Sequence, residues 1–353
     1  MKSKVYFIPV KDTDKPPAIA DKIEKLLDES RVLECIRKND KVAVKMHFGE
    51  EGNTGFVRPE FAAIICRRIA AGSKAAFVSD TNTLYRGKRT NSKDHLQLAR
   101  EHGFTKKAMG MDVIIPDDAK KEDTAALSIN QKFIKTAKVA RIFIEAHVFI
   151  AINHFKGHIL TGFGGAIKNI GMGCAMREGK LAQHCEASPV VHTEKCIGCD
   201  ACEKICPVHA IHLENKKSVI DTTVCIGCAS CLAVCPTMAM FIDFGAGFAV
   251  QEKMAEYAMA VLKGKRAGFI NFAVRINKEC DCWGMDNPRI APDVGILASA
   301  DPVSIDKASF DVIHRACGKD IFEESHPGQD GMRQLKSAQR LGLGSLDYEL
   351  IEL

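Results

Sequence analysis

The chain contains the sequence CIGCDACEKICP at residues 196–207 and a close copy of it, CIGCASCLAVCP, at residues 225–236. Both copies space their cysteines as C-x2-C-x2-C-x3-C-P, and each position of the second copy follows its counterpart by 29 residues. Eight of the fifteen cysteines of the chain lie in these two runs. The two runs therefore form an internal repeat built around two cysteine-rich loops.

Four cysteines at this spacing, the last followed by proline, are typical ligands of [4Fe–4S] clusters. Three cysteines wrap one cluster and the fourth ligates the other cluster. The spacing predicts two [4Fe–4S] clusters, the first held by Cys196, Cys199, Cys202 and Cys235 and the second by Cys225, Cys228, Cys231 and Cys206. Zinc is the alternative, but zinc sites usually pair C-x2-C knuckles across a longer gap. Residues 191–243 resemble the bacterial two-cluster ferredoxins, and this resemblance implies a small α+β domain.

Strand-like and helix-like patterns alternate on both sides of the repeat, with strands expected at 41–48, 75–79 and 148–153. This alternation favours an α/β fold with a mostly parallel sheet. We predict one discontinuous α/β domain, residues 1–190 plus 244–353, with the ferredoxin-like domain 191–243 inserted into it. Two α/β domains that flank a central ferredoxin are the alternative. The pattern within 129–149 is ambiguous, and we interpret it as a strand followed by a helix that includes Ala137 to Ile144.

The composition excludes several classes of protein. Hydrophobic residues make up 46% and charged residues 26% of the chain, as in ordinary globular proteins. The net charge of +5 is too small to indicate a nucleic-acid partner. No apolar run is long enough for a membrane span or a signal peptide. We therefore expect a cytoplasmic protein with reduced cysteines and no membrane or nucleic-acid partner.

Polar residues follow five of the predicted strands. Ligands of open α/β sheets bind outside the carboxyl ends of the strands, so these residues predict a second site at one sheet edge. The candidate binding or acid–base residues are His47, His154, His158 and Asp301. Cys280 and Cys282 are a redox pair, two metal ligands or ordinary thiols. Cys174 and Cys185 flank the repeat, and they are further candidate ligands of a second metal centre.

The glycine-rich sequence TGFGGAIKN at residues 161–169 is expected to open a helix. Its backbone N–H groups could hold an anion, with Lys168 as the counter-charge. The alternative is that the glycines serve close packing.

Four segments together resemble the domain-of-unknown-function family 362, namely residues 44–55 (VKMHFGEEGNTG), 153–158 (NHFKGH), 162–169 (GFGGAIKN) and 295–303 (GILASADPV). The iron–sulfur members of that family carry a two-cluster ferredoxin in the middle. The resemblance thus implies the insertion and the clusters, but it implies no established substrate.

Two functions follow from these expectations. The first is a redox enzyme in which the clusters pass electrons to a small-molecule substrate or a metal at the strand ends. The second is a non-catalytic electron carrier whose α/β domain docks a protein that donates or accepts electrons. Residues 191–243 carry a formal charge of −2 and the remainder +7, which could orient such a partner. Purely structural or sensory clusters are a third interpretation.

Overall fold

The computed structural model describes residues 2–84, 87–184, 188–225, 227–241 and 249–353. In these residues the strands are β1 (Ser3–Pro9), β2 (Lys41–Lys45), β3 (Ala75–Ser79), β4 (Asp112–Ile114), β5 (Thr124–Ser128), β6 (Thr136–Ala140), β7 (Val148–His154), β8 (Lys156–His158), β9 (Gly162–Gly164), β10 (Val190–Val191), β11 (Ile211–Glu214), β12 (Lys217–Ile220), β13 (Met240–Phe241), β14 (Arg266–Ala273), β15 (Gly295–Ser299) and β16 (Tyr348–Glu352). The α-helices are α1 (Pro16–Ser30), α2 (Pro59–Gly72), α3 (Ser92–Glu101), α4 (Lys106–Met109), α5 (Arg141–Ile144), α6 (Ala166–Gly171), α7 (Arg177–His184), α8 (Ala201–Ile205), α9 (Ser230–Val234), α10 (Val250–Leu262), α11 (Pro302–Cys317), α12 (Ile321–Ser325) and α13 (Met332–Arg340).

Eight strands form the main sheet, in the order β16-β1-β15-β14-β7-β2-β3-β4. Five of the seven pairings are parallel, and the two antiparallel pairings are those of β15 with β1 and with β14. The prediction of an α/β fold with a mostly parallel sheet is confirmed. Strands from both sides of the cysteine repeat belong to this one sheet.

Helices cover both faces of the sheet, which is why its central strands are apolar almost throughout. All seven residues of β7 are buried. Val148, Ile150 and Ile152 pack against α1 and α2 on one face. Phe149 and Ala151 pack on the other face with apolar residues of α6, α10, α11 and α13.

The helix ends follow the local signals of the sequence. Proline occupies the first turn of α1, α2 and α11, and Gly318 ends α11 in the left-handed conformation. No helix in the described part of the chain is both long and apolar enough to span a bilayer.

The expected helix over Ala137 to Ile144 is wrong in its first half. Residues 136–140 form β6, which pairs antiparallel with β5, and only Arg141–Ile144 are helical. Ala137 and Val139 are buried on either side of the half-buried Lys138, a period of two that fits a strand.

The segment from Val190 to Phe241 repeats its own backbone structure. Helices α8 and α9 are offset by the same 29 residues as the cysteine runs. Three pairs of residues with positive φ keep this offset, namely Gly198 with Gly227, Asp200 with Ala229 and His209 with Met238. Strand β10 pairs with β13 and β11 with β12, so the segment has its own small sheets. That this segment is an inserted ferredoxin domain stays a prediction.

Candidate functional site

A cavity of about 720 Å³ opens beyond the carboxyl ends of β2, β3 and β7. Because β14, β7, β2 and β3 run parallel, the loops that follow them meet at one edge of the sheet. The structure brings five of the sequence-predicted candidates to this cavity, namely His47, His154, His158, Cys280 and Cys282.

Asp301 does not line this cavity. It follows β15, the one strand of the main sheet that runs against the others, so it lies at the opposite edge. Its carboxylate caps α11 by accepting hydrogen bonds from the backbone N–H groups of Val303 and Ser304 at 2.8 Å. It also accepts from the Ser3 hydroxyl at 2.7 Å. We therefore correct its expected acid–base role to a structural cap.

Buried charges form one wall of the cavity. Asp80, at the end of β3, lies 2.9 Å from Lys45 Nζ and 3.1 Å from Arg89 Nη2, and all three side chains are almost fully buried. Burial opposes ionisation of Asp80, but the two cations together hold its pKa far below the usual range.

Two of the three predicted histidines are held neutral. His47 Nδ1 accepts from the Gly49 N–H at 2.9 Å, and Nε2 lies 2.7 Å from Arg89 Nη1. Burial and then Arg89 lower the pKa of His47 to about 3. Burial and then Lys168 lower the pKa of His158 to about 4. Both rings are therefore uncharged at neutral pH.

His154 belongs to a second buried charged group. Its Nδ1 lies 2.9 Å from Asp281 Oδ1, and Lys156 Nζ lies 3.1 Å from Asp281 Oδ2. The carboxylate of Asp281 thus orients the imidazole and neutralises one of the cations that line the cavity.

Cys280 lies beside His158 in the cavity wall, and its Sγ is 3.4 Å from Lys168 Nζ. A hydrogen bond with Cys282 and, against the opposing effect of burial, the charge of Lys168 hold the pKa of Cys280 well below its usual range. Both effects favour the thiolate form of the Cys280 sulfur.

Helix α6 carries Lys168 and Asn169 to the cavity. Its first N–H groups are not open to an external anion, because Ala166 and Ile167 donate to the Asp306 carboxylate at 2.7 and 2.9 Å. A side chain at Gly165 would place its Cβ 2.3 Å from Asp306 Oδ1, so this glycine serves close packing. Of the two interpretations of this glycine-rich sequence, the structure supports close packing and not an anion site at the helix N-terminus, whereas Lys168 does face the cavity.

The structure does not assemble the second metal centre expected from Cys174, Cys280 and Cys282. Cys174 lies in the hydrophobic core, where burial raises the pKa of its thiol to about 12, and it does not line the cavity. Across the described ranges, no three His, Cys, Asp or Glu side chains are arranged to hold a metal ion. Cys185 lies outside the described residues.

The cysteine repeat has its own donor pattern. A small cavity is lined by Cys206, Cys225, Cys228 and Cys231, the set expected for the second cluster. The Ala210 N–H donates to Cys206 Sγ at 3.2 Å, and 29 residues later the Ala239 N–H donates to Cys235 Sγ at the same distance. Backbone N–H groups directed at cysteine sulfur are the kind of donor that stabilises thiolate ligands. That these cysteines hold [4Fe–4S] clusters stays a prediction.

The repeat also touches the cavity at the strand ends. Met238 of the repeat lines that cavity. Leu84, from the loop after β3, and Leu181 of α7 belong to the same hydrophobic cluster as Cys196 and Cys231. The two candidate sites are therefore adjacent.

Several charged residues around the cavity were not among the candidates from the sequence, including Lys45, Asp80, Arg89, Lys180 and Asp281. A signal existed for Lys45, which ends the otherwise apolar strand KVAVK, where a solvated lysine is not expected. A signal also existed for Asp281, since it lies between the two cysteines already chosen.

The solved structures that resemble this chain are only distantly similar to it. No curated protein matches this chain. The lactate racemase apoprotein from Thermoanaerobacterium thermosaccharolyticum is 13% identical, with a TM-score of 0.43, over 76% of this chain and 50% of that one. A protein from Thermotoga maritima is 11% identical, with a TM-score of 0.42, over 88% of this chain and 60% of its own. The chain thus spans half to three fifths of the length of these two structures, and similarity at this level says nothing about activity.

The family model described as domain of unknown function DUF362 matches residues 42–311, which include β2, β3, β7, the cysteine repeat and most of α11. The match covers the loops that form the cavity at the strand ends. The chain therefore belongs to the DUF362 family.

Proposed function

We propose that the protein is a redox enzyme in which two [4Fe–4S] clusters, held by the cysteine repeat, pass electrons to an anionic small molecule bound in the cavity. The observation that carries this proposal is the contact between the two sites. Met238 of the repeat is part of the cavity wall, and the repeat shares its apolar core with Leu84 and Leu181 beside the cavity.

The charge of the cavity supports an anionic substrate. Lys168 and Lys180 line it, and neither pairs with a carboxylate within the described residues. Lys180 Nζ instead donates to the Thr81 hydroxyl and, at 2.7 Å, to the Ala175 carbonyl. A buried cation without an acidic partner is costly, so a bound carboxylate or phosphate would offset that cost.

The residues of the cavity supply binding and proton transfer. When bound, the clusters supply electrons one at a time. Lys168 holds the anion, and burial lowers the pKa of Lys180 to about 7, so its ammonium can give up a proton at neutral pH. Asp80 and Asp281 stay ionised and fix the positions of Lys45, Arg89 and Lys156.

The clusters are tested first, on protein purified without oxygen. We expect about eight iron and eight sulfide per chain, and an EPR signal that appears on reduction with dithionite. Cys228→Ser should lose about half of the iron. The control is Cys66→Ser, which replaces a buried thiol of α2 and should keep all of the iron. Zinc in place of iron would contradict the proposal.

The anion site is tested by thermal unfolding with succinate and inorganic phosphate as probes. At least one of them should raise the Tm of the wild type, because a ligand that binds only the folded state stabilises it. Lys180→Met and Lys168→Gln should reduce this rise, and Lys25→Gln, on the exposed face of α1, should not. Equal shifts in all four proteins would show that the anions do not bind in the cavity.

A non-catalytic electron carrier is the second candidate, because the repeat exposes apolar side chains. In the described residues, five of the nine exposed large hydrophobic side chains lie within 190–241, among them Ile197 at 66% and Met238 at 63% exposure. Such residues suit the docking of a redox partner. Reduced clusters that no small anion reoxidises, but that a partner protein does, would favour the carrier.

A further inference from the structure

Two cysteines one residue apart lie in the wall of the cavity. The Trp283 N–H donates to the Cys280 carbonyl at 3.1 Å, so residues 280–283 form a tight turn. This turn brings the two sulfurs within hydrogen-bonding distance of each other. Cys280 is buried and Cys282 is partly exposed, and both are present as thiols and not as a disulfide.

The surroundings of Cys280 are those of a reactive sulfur and not of a core thiol. Lys168 Nζ lies 3.4 Å from its Sγ, and His158 and Lys156 line the same wall. Cys66, by contrast, has only apolar surroundings, and burial raises the pKa of its thiol to about 12. Thiolates next to cations at an accessible cavity are the sulfurs that attack disulfides.

We propose that Cys280 and Cys282 form a reversible dithiol–disulfide centre that takes up an electron pair and delivers it to the anion bound in the cavity. That the clusters supply the electrons depends on the proposed function above. The evidence for the centre itself is the turn at residues 280–283 and the cations around Cys280.

Reduction of the centre would take two electrons, supplied one at a time by the clusters of the proposed function, and one proton from water. Two electrons break the S–S bond, one proton goes to the Cys282 sulfur, and the Cys280 sulfur remains a thiolate beside Lys168. In the reverse step the bond forms again, the proton leaves Cys282, and two electrons pass to the substrate. Each cluster carries one electron at a time, so the centre pairs electrons for a substrate that accepts two.

The experiment equilibrates the iron-containing protein, without oxygen, in mixtures of oxidised and reduced dithiothreitol. Free thiols are then alkylated, and the Cys280–Cys282 peptide is analysed by mass spectrometry. We expect the disulfide to form and to be reduced again, with the dependence on the dithiothreitol ratio of a two-electron couple. Cys66 should remain a thiol throughout.

Two variants exclude a merely structural explanation. With Cys282→Ser, no disulfide forms and Cys280 remains open to alkylation. Lys168→Gln should shift the pH at which the alkylation of Cys280 reaches half its maximal rate upward by about one unit, because it removes the cation beside the thiolate, and Lys168→Arg should restore the original midpoint. The inference is overturned if Cys280 and Cys282 stay unlinked at every ratio, or if Lys168→Gln leaves the pH dependence of alkylation unchanged.

The outcomes separate this inference from the proposed function. If the purified chain contains no iron but still forms the disulfide, the proposed function is contradicted and the dithiol centre is supported. If the chain contains both clusters but forms no disulfide, the dithiol centre is contradicted and the proposed function is not.

Discussion

Lys45 Nζ lies 2.9 Å from Asp80 Oδ1, and the two side chains are only 1% and 3% exposed. The pair joins the ends of the neighbouring strands β2 and β3 in the wall of the cavity. Arg89 Nη2 contacts the other carboxylate oxygen at 3.1 Å, so one acid neutralises two buried cations. This wall of the cavity therefore depends on Asp80.

Asp80→Asn should destabilise the protein by about 3–5 kcal/mol, because it leaves Lys45 and Arg89 buried without their charge partner. Urea unfolding at pH 7 measures this loss. Asp28→Asn is the control: it breaks an exposed 2.6 Å pair with Arg68 and should cost less than about 1 kcal/mol. Equal losses in the two variants would contradict the role of the buried pair.

The contribution of Asp80 should also resist acid. Its pKa in the folded protein lies below the ordinary value of 3.8. A carboxylate whose pKa is lowered by folding increases the free energy of unfolding at pH values above its ordinary pKa. This increase is lost as the pH falls from the ordinary pKa towards the folded pKa. The difference between wild type and Asp80→Asn should therefore be constant from pH 7 to about pH 5, and should shrink only in stronger acid.

Lys180 gives the opposite dependence on pH. Burial lowers the pKa of Lys180 from 10.5 to about 7, so between these values the unfolded chain binds a proton that the folded chain does not. The free energy of unfolding should therefore rise with pH from about 7 to 10, by up to about 1.4 kcal/mol per pH unit from this group. Urea unfolding of wild type and Lys180→Met across this range measures the effect.

The variant Lys180→Met should lose that slope. Lys25→Met, which removes an exposed lysine of α1, should keep it. A slope that is unchanged in Lys180→Met would mean that Lys180 stays charged in the folded protein.

The positions of the strand ends could be predicted from the sequence, but the direction of one strand, β15, could not. Apolar runs located β2, β3 and β7, and with them His47 and His154. Asp301 was placed at the wrong edge because the prediction of a mostly parallel sheet did not identify β15 as an antiparallel strand. A signal was present, since a parallel pairing needs a crossover, usually a helix, and the residues between β14 and β15 contain no helix.

The network of buried charges around the cavity could not be predicted from the sequence, for a different reason. Lys45, Arg89 and Lys180 lie far apart in the chain, and each alone resembles a surface residue. Only the sheet and α7 bring them together, at Asp80 and at Thr81. The cysteine spacing, by contrast, is local, and its 29-residue offset recurs in the backbone of the structure.

The two cysteine loops offer a matched pair of glycines for a fourth prediction. Gly198 and Gly227 both have φ of +67°, so alanine should strain each loop by about 1–2 kcal/mol. At Gly198 an added Cβ would also lie 2.5 Å from the Lys216 carbonyl oxygen, whereas at Gly227 it would meet only Leu181 Cδ2 at 3.4 Å. Gly198→Ala should therefore lower the Tm and the iron content more than Gly227→Ala, and the reverse order would contradict this packing.

Leu181 tests whether the repeat is held against the cavity wall. It is 2% exposed on α7 and packs with Cys196, Cys231 and Leu232 of the repeat. Leu181→Ala should destabilise this packing by about 2–5 kcal/mol and should speed hydrogen exchange in residues 196–241.

Leu26→Ala is the matched control for Leu181→Ala, because Leu26 is fully buried among the residues of α1 and α2. It should destabilise the α/β sheet by a similar amount without a selective increase of exchange in the repeat. A uniform increase in both variants would mean that the repeat is held by contacts other than Leu181.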